Sequence, residues 1–381
     1  MNILVIGAGA AGLGIAWRLA RSGAQVTVLE RAQVGNGATT ASAGMIAAAA
    51  ELGGANTPET DFARRSSRMW PDFAEELQRQ SGVDISYRRG GSLLVTMKGE
   101  EAEAASAAER HGEACEVELL DALQARFREP LLSENAVAAL WAPNEATVDS
   151  QALCRALAVA FVRSGGKLLS NETAVRFERD AGRILGVVTP FRTHKADAYV
   201  LAAGAWTSRV EGLPPEAVPP VIPVKGEIIV LAPPEGRAPP AHVIWGNGIY
   251  LTPRGDRVLV GATVERAGFD THVSQAALGW LRRRLIGLMP ALENWRVAEH
   301  WAGLRPGTPD GLPILGRSRL DNLYVASGQY RNGILFAPAV AELVCRLVLE
   351  RGEGESAFDP RRFEGILHRG TQSIVETPHK A

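Results

Sequence analysis

The stretch Asn2-Ile3-Leu4-Val5-Ile6-Gly7-Ala8-Gly9-Ala10-Ala11-Gly12 decides the fold. Asn2–Ile6 is a short apolar run, suited to a parallel strand buried on both faces. It breaks into a Gly-x-Gly-x-x-Gly turn, and a helical pattern follows with Ile15 and Leu19 on one face. Gln25–Leu29 is a second strand, ending in Glu30. The three glycines act differently. Gly7 permits the tight turn, Gly9 lets backbone approach a pyrophosphate, and Gly12 lets helix and strand pack closely. The helix start offers unpaired N–H groups and a partial positive charge to that phosphate. Glu30 stands 18 positions after Gly12 (30 − 12), near the spacing of about 20 for a ribose-binding acid. The unit reads as a dinucleotide site; the structural alternative is a tight βαβ turn with a solvated Glu30.

After Glu30 the chain leaves the regular alternation and runs through Gly35-Asn36-Gly37-Ala38-Thr39-Thr40-Ala41-Ser42-Ala43-Gly44-Met45. Small residues at this density let backbone pass close to a flat ring. That loop, and the absence of a second fingerprint, favour FAD over NAD; a flexible loop is the bland alternative.

Composition narrows the class. The 381 residues suggest two or three domains, and 46% hydrophobic content is enough for large cores. Lys and Arg number 41 against 42 Asp and Glu, so neither a general nucleic-acid binder nor a polybasic membrane anchor fits. Cys115, Cys154 and Cys345 form no C-x-x-C pair, which argues against a disulfide scaffold or a Cys-based zinc site and for a reducing compartment. Cys154 and Cys345 sit in helical patterns and read as small buried apolar residues. The seven histidines show no metal-ligand spacing. No apolar run reaches transmembrane length, and no signal peptide is visible. A soluble cytoplasmic protein is expected.

The middle alternates between two domains. A long amphipathic helix is expected over 59–80, a strand over Gly91–Met97 and an exposed Ala/Glu-rich helix over 100–111. Asp149 is placed to cap a helix reaching about Arg163. Strands follow at Lys167–Leu169 and Tyr199–Ala203, the second breaking into Gly204-Ala205-Trp206. Nine of the 22 prolines lie between Pro214 and Pro240, so the chain crosses over there, interrupted by a strand at Gly226–Ala232. Ile249–Thr252 and Arg257–Val264 form a hairpin about Arg254-Gly255-Asp256. The Gly- and Pro-dense run His300–Gly311 reads as a shaped loop carrying Arg305, whose planar fork suits a carboxylate. His300 reads as structural. Asn322–Ser327 is a strand that breaks into Gly328–Leu335, with a helix through Leu349.

Together the fingerprint, TTASAGM, VLAAGAW, IYLTPR…VLVGATV, WAGLRPGTPDGLPILG and GQYRNGILFAP resemble the glycine oxidase branch of the D-amino-acid oxidase and sarcosine oxidase superfamily. The likeness runs from residue 3 to about 365. It implies an α/β fold: a Rossmann-like FAD-binding domain with a discontinuous chain (1–85, 147–219 and 303–365) plus an antiparallel-sheet substrate domain (86–146 and 220–302), then a C-terminal tail (366–381). It implies oxidative deamination of a small amine through an imine, with oxygen giving peroxide; some members supply that imine to thiamine thiazole synthesis. It also suggests a homo-oligomer.

The resemblance implies these roles. Gly7, Gly9, Ala10, Ala11 and Gly12 form the pyrophosphate turn, with Glu30 and Arg31 at the adenosine ribose. Ala38, Thr39, Ala43, Gly44 and Met45 line the flavin side, and Val175 holds the adenine end through its backbone. Gln329, Tyr330, Arg331, Asn332, Gly333, Ile334 and Leu335 wrap the flavin, with Ala203, Gly204 and Gly328 completing the set. Arg305 binds the substrate carboxylate, Tyr250 supplies an oriented hydroxyl and Arg331 stands at the site edge. Gly248 and Val264 depart from a histidine and a methionine in the family pattern and bear on pocket size and substrate choice. Residues 301–316 hold no cysteine, so FAD is expected to be non-covalent. No side chain is required as acid or base if hydride leaves a neutral amine held by Arg305. Two other readings compete: a dehydrogenase passing electrons from a D-amino acid or secondary amine to a non-oxygen acceptor, and a non-catalytic flavin-binding subunit.

Overall fold

In the computed structural model, described for residues 1–53, 56–102, 117–350, 352 and 354–363, the N-terminal strand lies inside a six-stranded sheet. Its order is Ile314–Arg317, Leu323–Ser327, Ala198–Leu201, Asn2–Ile6, Gln25–Glu30, Lys167–Ser170. All pairs are parallel except the Ile314–Arg317 edge. Alternate residues of the first strand feed two cores. Ile3 and Val5 pack with Leu13, Trp17, Trp70, Phe161 and Val344 from the helices. Leu4 and Ile6 pack with Phe177, Ile184, Val187 and Tyr199, partly from a three-stranded antiparallel sheet on the other face. Burial on both sides is why the strand is apolar throughout.

Local chemistry sets the helix ends. The helix Pro58–Ser81 starts with a Thr57/Thr60 capping box and Pro58 in its first turn, and stops at left-handed Gly82, as capping rules require. The Asp149 carboxylate accepts the N–H groups of Gln151 and Ala152 and starts Ser150–Arg163, a cap worth about 1 kcal/mol. Ala337–Glu350 follows the last parallel strand. Cys154 is buried in its helix as expected, whereas Cys345 is only partly buried. Part of the helix expected over 100–111, and the tail 366–381, lie outside the described residues. Among the described residues no helix is long and apolar enough to cross a membrane.

An eight-stranded sheet forms the second layer system, in the order Arg296–Gly307, Ile222–Ala232, Arg257–Gly261, Ile249–Arg254, Val243–Gly246, Ser92–Met97, Ala136–Ala142, Glu118–Asp121. Every pair is antiparallel except Val243–Gly246 with Ser92–Met97. Leu281, Leu285 and Leu288 of the Gln275–Leu288 helix close its core with Ile229, Ile244, Leu251 and Val260. The expected hairpin is present, Ile249–Arg254 with Arg257–Gly261.

Contrary to expectation, Arg305 sits on a twelve-residue strand, Arg296–Gly307, and not in a loop. The strand pairs with Ile222–Ala232 from Arg296↔Ala232 to Gly307↔Ile222. It is the sheet edge, and Pro306 falls near its end opposite Pro223. Proline is tolerated at edges and ends because no ladder donor is needed there, so the Gly/Pro content did not signal a loop. The strand also runs past residue 302, so the segment carrying Arg305 continues the larger sheet.

Candidate functional site

A cleft of about 340 Å³ lies between the two sheets, within the usual range for small-ligand sites. At one end is the turn after the N-terminal strand. A Cβ on Gly12 would run into the Gly7 carbonyl oxygen, so only glycine lets this helix start so close to the strand. The Glu30 carboxylate accepts the Ala8 N–H (2.8 Å) and the Ala32 N–H (3.0 Å), which fixes it at the strand end beside the turn. The Thr39 hydroxyl accepts the Ala10 N–H at 3.1 Å. The N–H groups of Gly9 and Ala11 are left without a protein acceptor among the described residues, as an anion-binding helix start demands. The Arg31 guanidinium stacks on Trp206, 3.6 Å from the ring centroid.

Along the cleft run Ala38, Thr39, Ala43, Gly44 and Met45 on one wall, Ala203 and Gly204 on another, and the turn Gln329–Leu335 on a third. The Gln329–Leu335 turn is tied into the helical layer, because the Leu335 carbonyl accepts from Ser66 Oγ (2.7 Å) and Trp70 Nε1 (3.0 Å). Small side chains and backbone on three sides leave a flat slot, and the unpaired N–H groups lie at its end. These features fit a flavin dinucleotide: the turn would hold the pyrophosphate, Glu30 the ribose, and the slot the ring.

At the other end, three elements converge. Arg305 donates from Nη1 to the Thr263 carbonyl at 3.1 Å. Its guanidinium lies over Gly226 of the adjacent strand, where any Cβ would strike it. Tyr250 lies across its cross-strand neighbour Gly261, where a Cβ would come within 2.5 Å of the phenol oxygen. Burial pushes the Tyr250 phenol above its ordinary range, and the Arg305 charge opposes that shift. Arg331 is exposed at the cleft edge. Behind Arg305, buried Lys225 pairs with Glu227 at 3.0 Å, and Glu227 meets His300 at 2.8 Å.

Of the cofactor- and substrate-binding residues expected from the sequence, three do not line the cleft. Gly12 and Gly328 act in packing behind it; a Cβ on Gly328 would meet Thr308 at 2.6 Å. Val175 is turned elsewhere: its N–H donates to the Val188 carbonyl, so that donor is not free for an adenine, and its carbonyl already accepts from the Glu211 N–H. Thr173 and Ala174 line the cleft there instead. Gly248 and Val264 lie outside the cleft lining, Val264 being 47% exposed.

Sequence reasoning missed Glu51, which enters the cleft from the short helix Ala48–Leu52. Burial pushes its carboxyl up, while Arg331 and Arg305 pull it back. Its only sequence signal is a lone acid ending the apolar run Ile46–Ala50. Trp206 and Gly226 were likewise not assigned roles, because stacking and clearance depend on partners far along the chain.

Comparison with known proteins agrees with this geometry. The sequence profile of the family described as "FAD dependent oxidoreductase" matches residues 2–347. The chain is 36% identical to the "Bifunctional protein ThiO/ThiG" of Trichormus variabilis, covering 95% of this chain but only 55% of that one. The chain thus spans about half the length of the curated relatives it matches first. It is 34% identical to the "Glycine oxidase" of Geobacillus kaustophilus, covering 98% of each. The crystal structure of glycine oxidase from that organism superposes with a TM-score of 0.88 at 32% identity, over 94% of this chain and 98% of that one.

Proposed function

The chain belongs to the FAD dependent oxidoreductase family, and from that premise we propose that it oxidatively deaminates glycine or another small amino acid or amine. The products are an imine, which water converts to an oxo acid and ammonia, and hydrogen peroxide from oxygen. The observation that carries this reading is one continuous cleft joining the dinucleotide turn to Arg305 and Tyr250. The likeness to glycine oxidases supports the substrate, and the likeness to ThiO/ThiG proteins supports delivery of the imine to thiazole synthesis.

When bound, FAD supplies the hydride acceptor that no side chain can provide. The chain's own residues bind and orient. Arg305 grips the substrate carboxylate with its fork, and Thr263 fixes that fork from behind. Tyr250, its phenol kept protonated by burial, donates to the same carboxylate. Holding the substrate so replaces a costly encounter with a pre-oriented one. Gly9, Ala10 and Ala11 would hold the pyrophosphate of a non-covalent FAD, Glu30 and Arg31 its ribose, and Gln329–Leu335 its ring. The proposed setting is the cytoplasm.

The test is the visible spectrum of the flavin-loaded protein, followed anaerobically as glycine is added. Bleaching is expected. A band that stays oxidised sinks glycine and turns attention to sarcosine, D-alanine and D-proline. Peroxide on readmitting air separates the oxidase from a dehydrogenase using another acceptor. The substrate amine must lose a proton first, so kcat/KM rises above neutrality; a flat profile from about pH 6 to about pH 10 contradicts this mechanism.

A further inference from the structure

Glu51 shares the cleft with the guanidiniums of Arg305 and Arg331 and the phenol of Tyr250. Among the described residues its carboxylate forms no hydrogen bond or ion pair; the influences on it are burial and the two arginine charges. It is also held in place. The Glu145 carboxylate accepts the N–H groups of Ala49 (2.8 Å) and Ala50 (2.9 Å) from the same short helix and contacts the Ser92 hydroxyl. This half-buried carboxylate has no protein donor among the described residues, so a ligand that brings one completes it. A plain carboxylate ligand would take up Arg305 and leave Glu51 worse off than before. A ligand bringing a cationic nitrogen with its carboxylate satisfies both ends.

We propose that Glu51 is the nitrogen-binding residue of this cleft, accepting a hydrogen bond from the substrate N–H while Arg305 holds the substrate carboxylate. The inference rests on the reading of the cleft as an amino acid oxidase site and deepens it. The substrate class becomes α-amino acids with at least one N–H, recognised at both ends, and simple carboxylates are selected against.

The groups that face Glu51 are Arg305 on its strand, Arg331 on its turn, Tyr250 on the hairpin, Glu59 at the start of the long helix, and Glu145 beneath. Burial resists its ionisation and the two arginines favour it, so its charge responds to pH and to ligand.

The experiment compares glycine with acetate on the flavin-loaded, full-length wild type and Glu51→Gln. Turnover gives KM for glycine, and perturbation of the bound flavin's visible spectrum gives acetate affinity. The expected result is a rise of roughly ten- to a hundredfold in KM for glycine, with acetate binding unchanged or tighter because a like charge is gone. Equal weakening of both ligands, or no change in either, overturns the proposal. Wild type alone supplies a second measurement that survives a variant that does not fold. Acetate should bind more tightly as the pH is lowered and Glu51 takes up a proton; an acetate affinity that does not change with pH while acetate stays ionised overturns the proposal. Wild type that binds acetate but is never reduced by any amino acid sinks the oxidase reading instead, and this inference falls with it.

Discussion

One end of the cleft is formed by a single contiguous turn, Gly7–Gly12, together with a neighbouring acid and a run of small residues. At the other end, Glu51, Tyr250, Arg305 and Arg331 arrive from a short helix, a hairpin, an edge strand and a strand-to-helix turn. The first end offers mostly backbone N–H groups and missing side chains. The second offers charged side chains whose positions depend on strand register. Damage should therefore separate: changes at the first end cost cofactor, and changes at the second cost turnover with cofactor retained.

Arg305→Leu is the strongest test of that separation. Loss of the charged fork should lower kcat/KM for glycine by about two to three orders of magnitude, measured by oxygen uptake, while the flavin spectrum stays that of wild type. Loss of flavin from this variant would break the comparison.

Gly226→Ala comes next. A Cβ there collides with the Arg305 guanidinium, so kcat/KM should fall by about ten- to a hundredfold through misplacement alone. A crystal structure should show the fork displaced, and an unmoved Arg305 with full activity would show that the clearance is not needed.

Glu145 tests the support beneath Glu51. Burial pushes its carboxyl up to about 7, and the Ser92 hydroxyl and the Ala50 and Ala49 N–H groups only partly oppose this. A carboxyl raised on folding holds its proton longer in the native state, so its contribution to stability is greatest at low pH. That contribution is lost as pH rises from the ordinary carboxylate range toward about 7, then levels off. Glu145→Gln cannot ionise and lacks this slope. Urea midpoints at about pH 5 and about pH 7 should show the variant gaining about 1–3 kcal/mol on wild type across the interval. Parallel pH profiles would contradict the raised carboxyl.

Glu30→Gln carries the smallest effect and belongs to the first end. The carboxylate that accepts the Ala8 and Ala32 N–H groups is weakened as an acceptor, so FAD affinity should fall about tenfold or less. Turnover with FAD in excess should stay near wild type, which flavin-binding titration and oxygen uptake together would check.

The same division governs what could be read from residues alone. The strand Asn2–Ile6, its turn, the acid at Glu30 and the cap at Asp149 were legible because each rests on interactions within a few residues or on a fixed spacing. Arg305 was legible as a charged residue of the candidate site, and it does line the cleft, but its setting was misread. Glycine and proline weaken a strand only where a ladder donor is needed, and whether a strand is an edge depends on the whole sheet. Val175 failed for a related reason: its backbone pairs with Val188 and Glu211, partners that no local pattern discloses.

By itself, the sequence determined a flavoprotein fold, a glycine turn between strand and helix and the identity of the charged groups available to a substrate. These follow from period, spacing and side-chain chemistry, which are properties of neighbours in the chain. Only the tertiary structure decided that Gly226 and Gly261 clear space for Arg305 and Tyr250, that Gly248 and Val264 stand outside the cleft, and that Glu51 faces two arginines. Those facts depend on which strands pair and in what register, and a shift of one residue would turn each side chain to the opposite face.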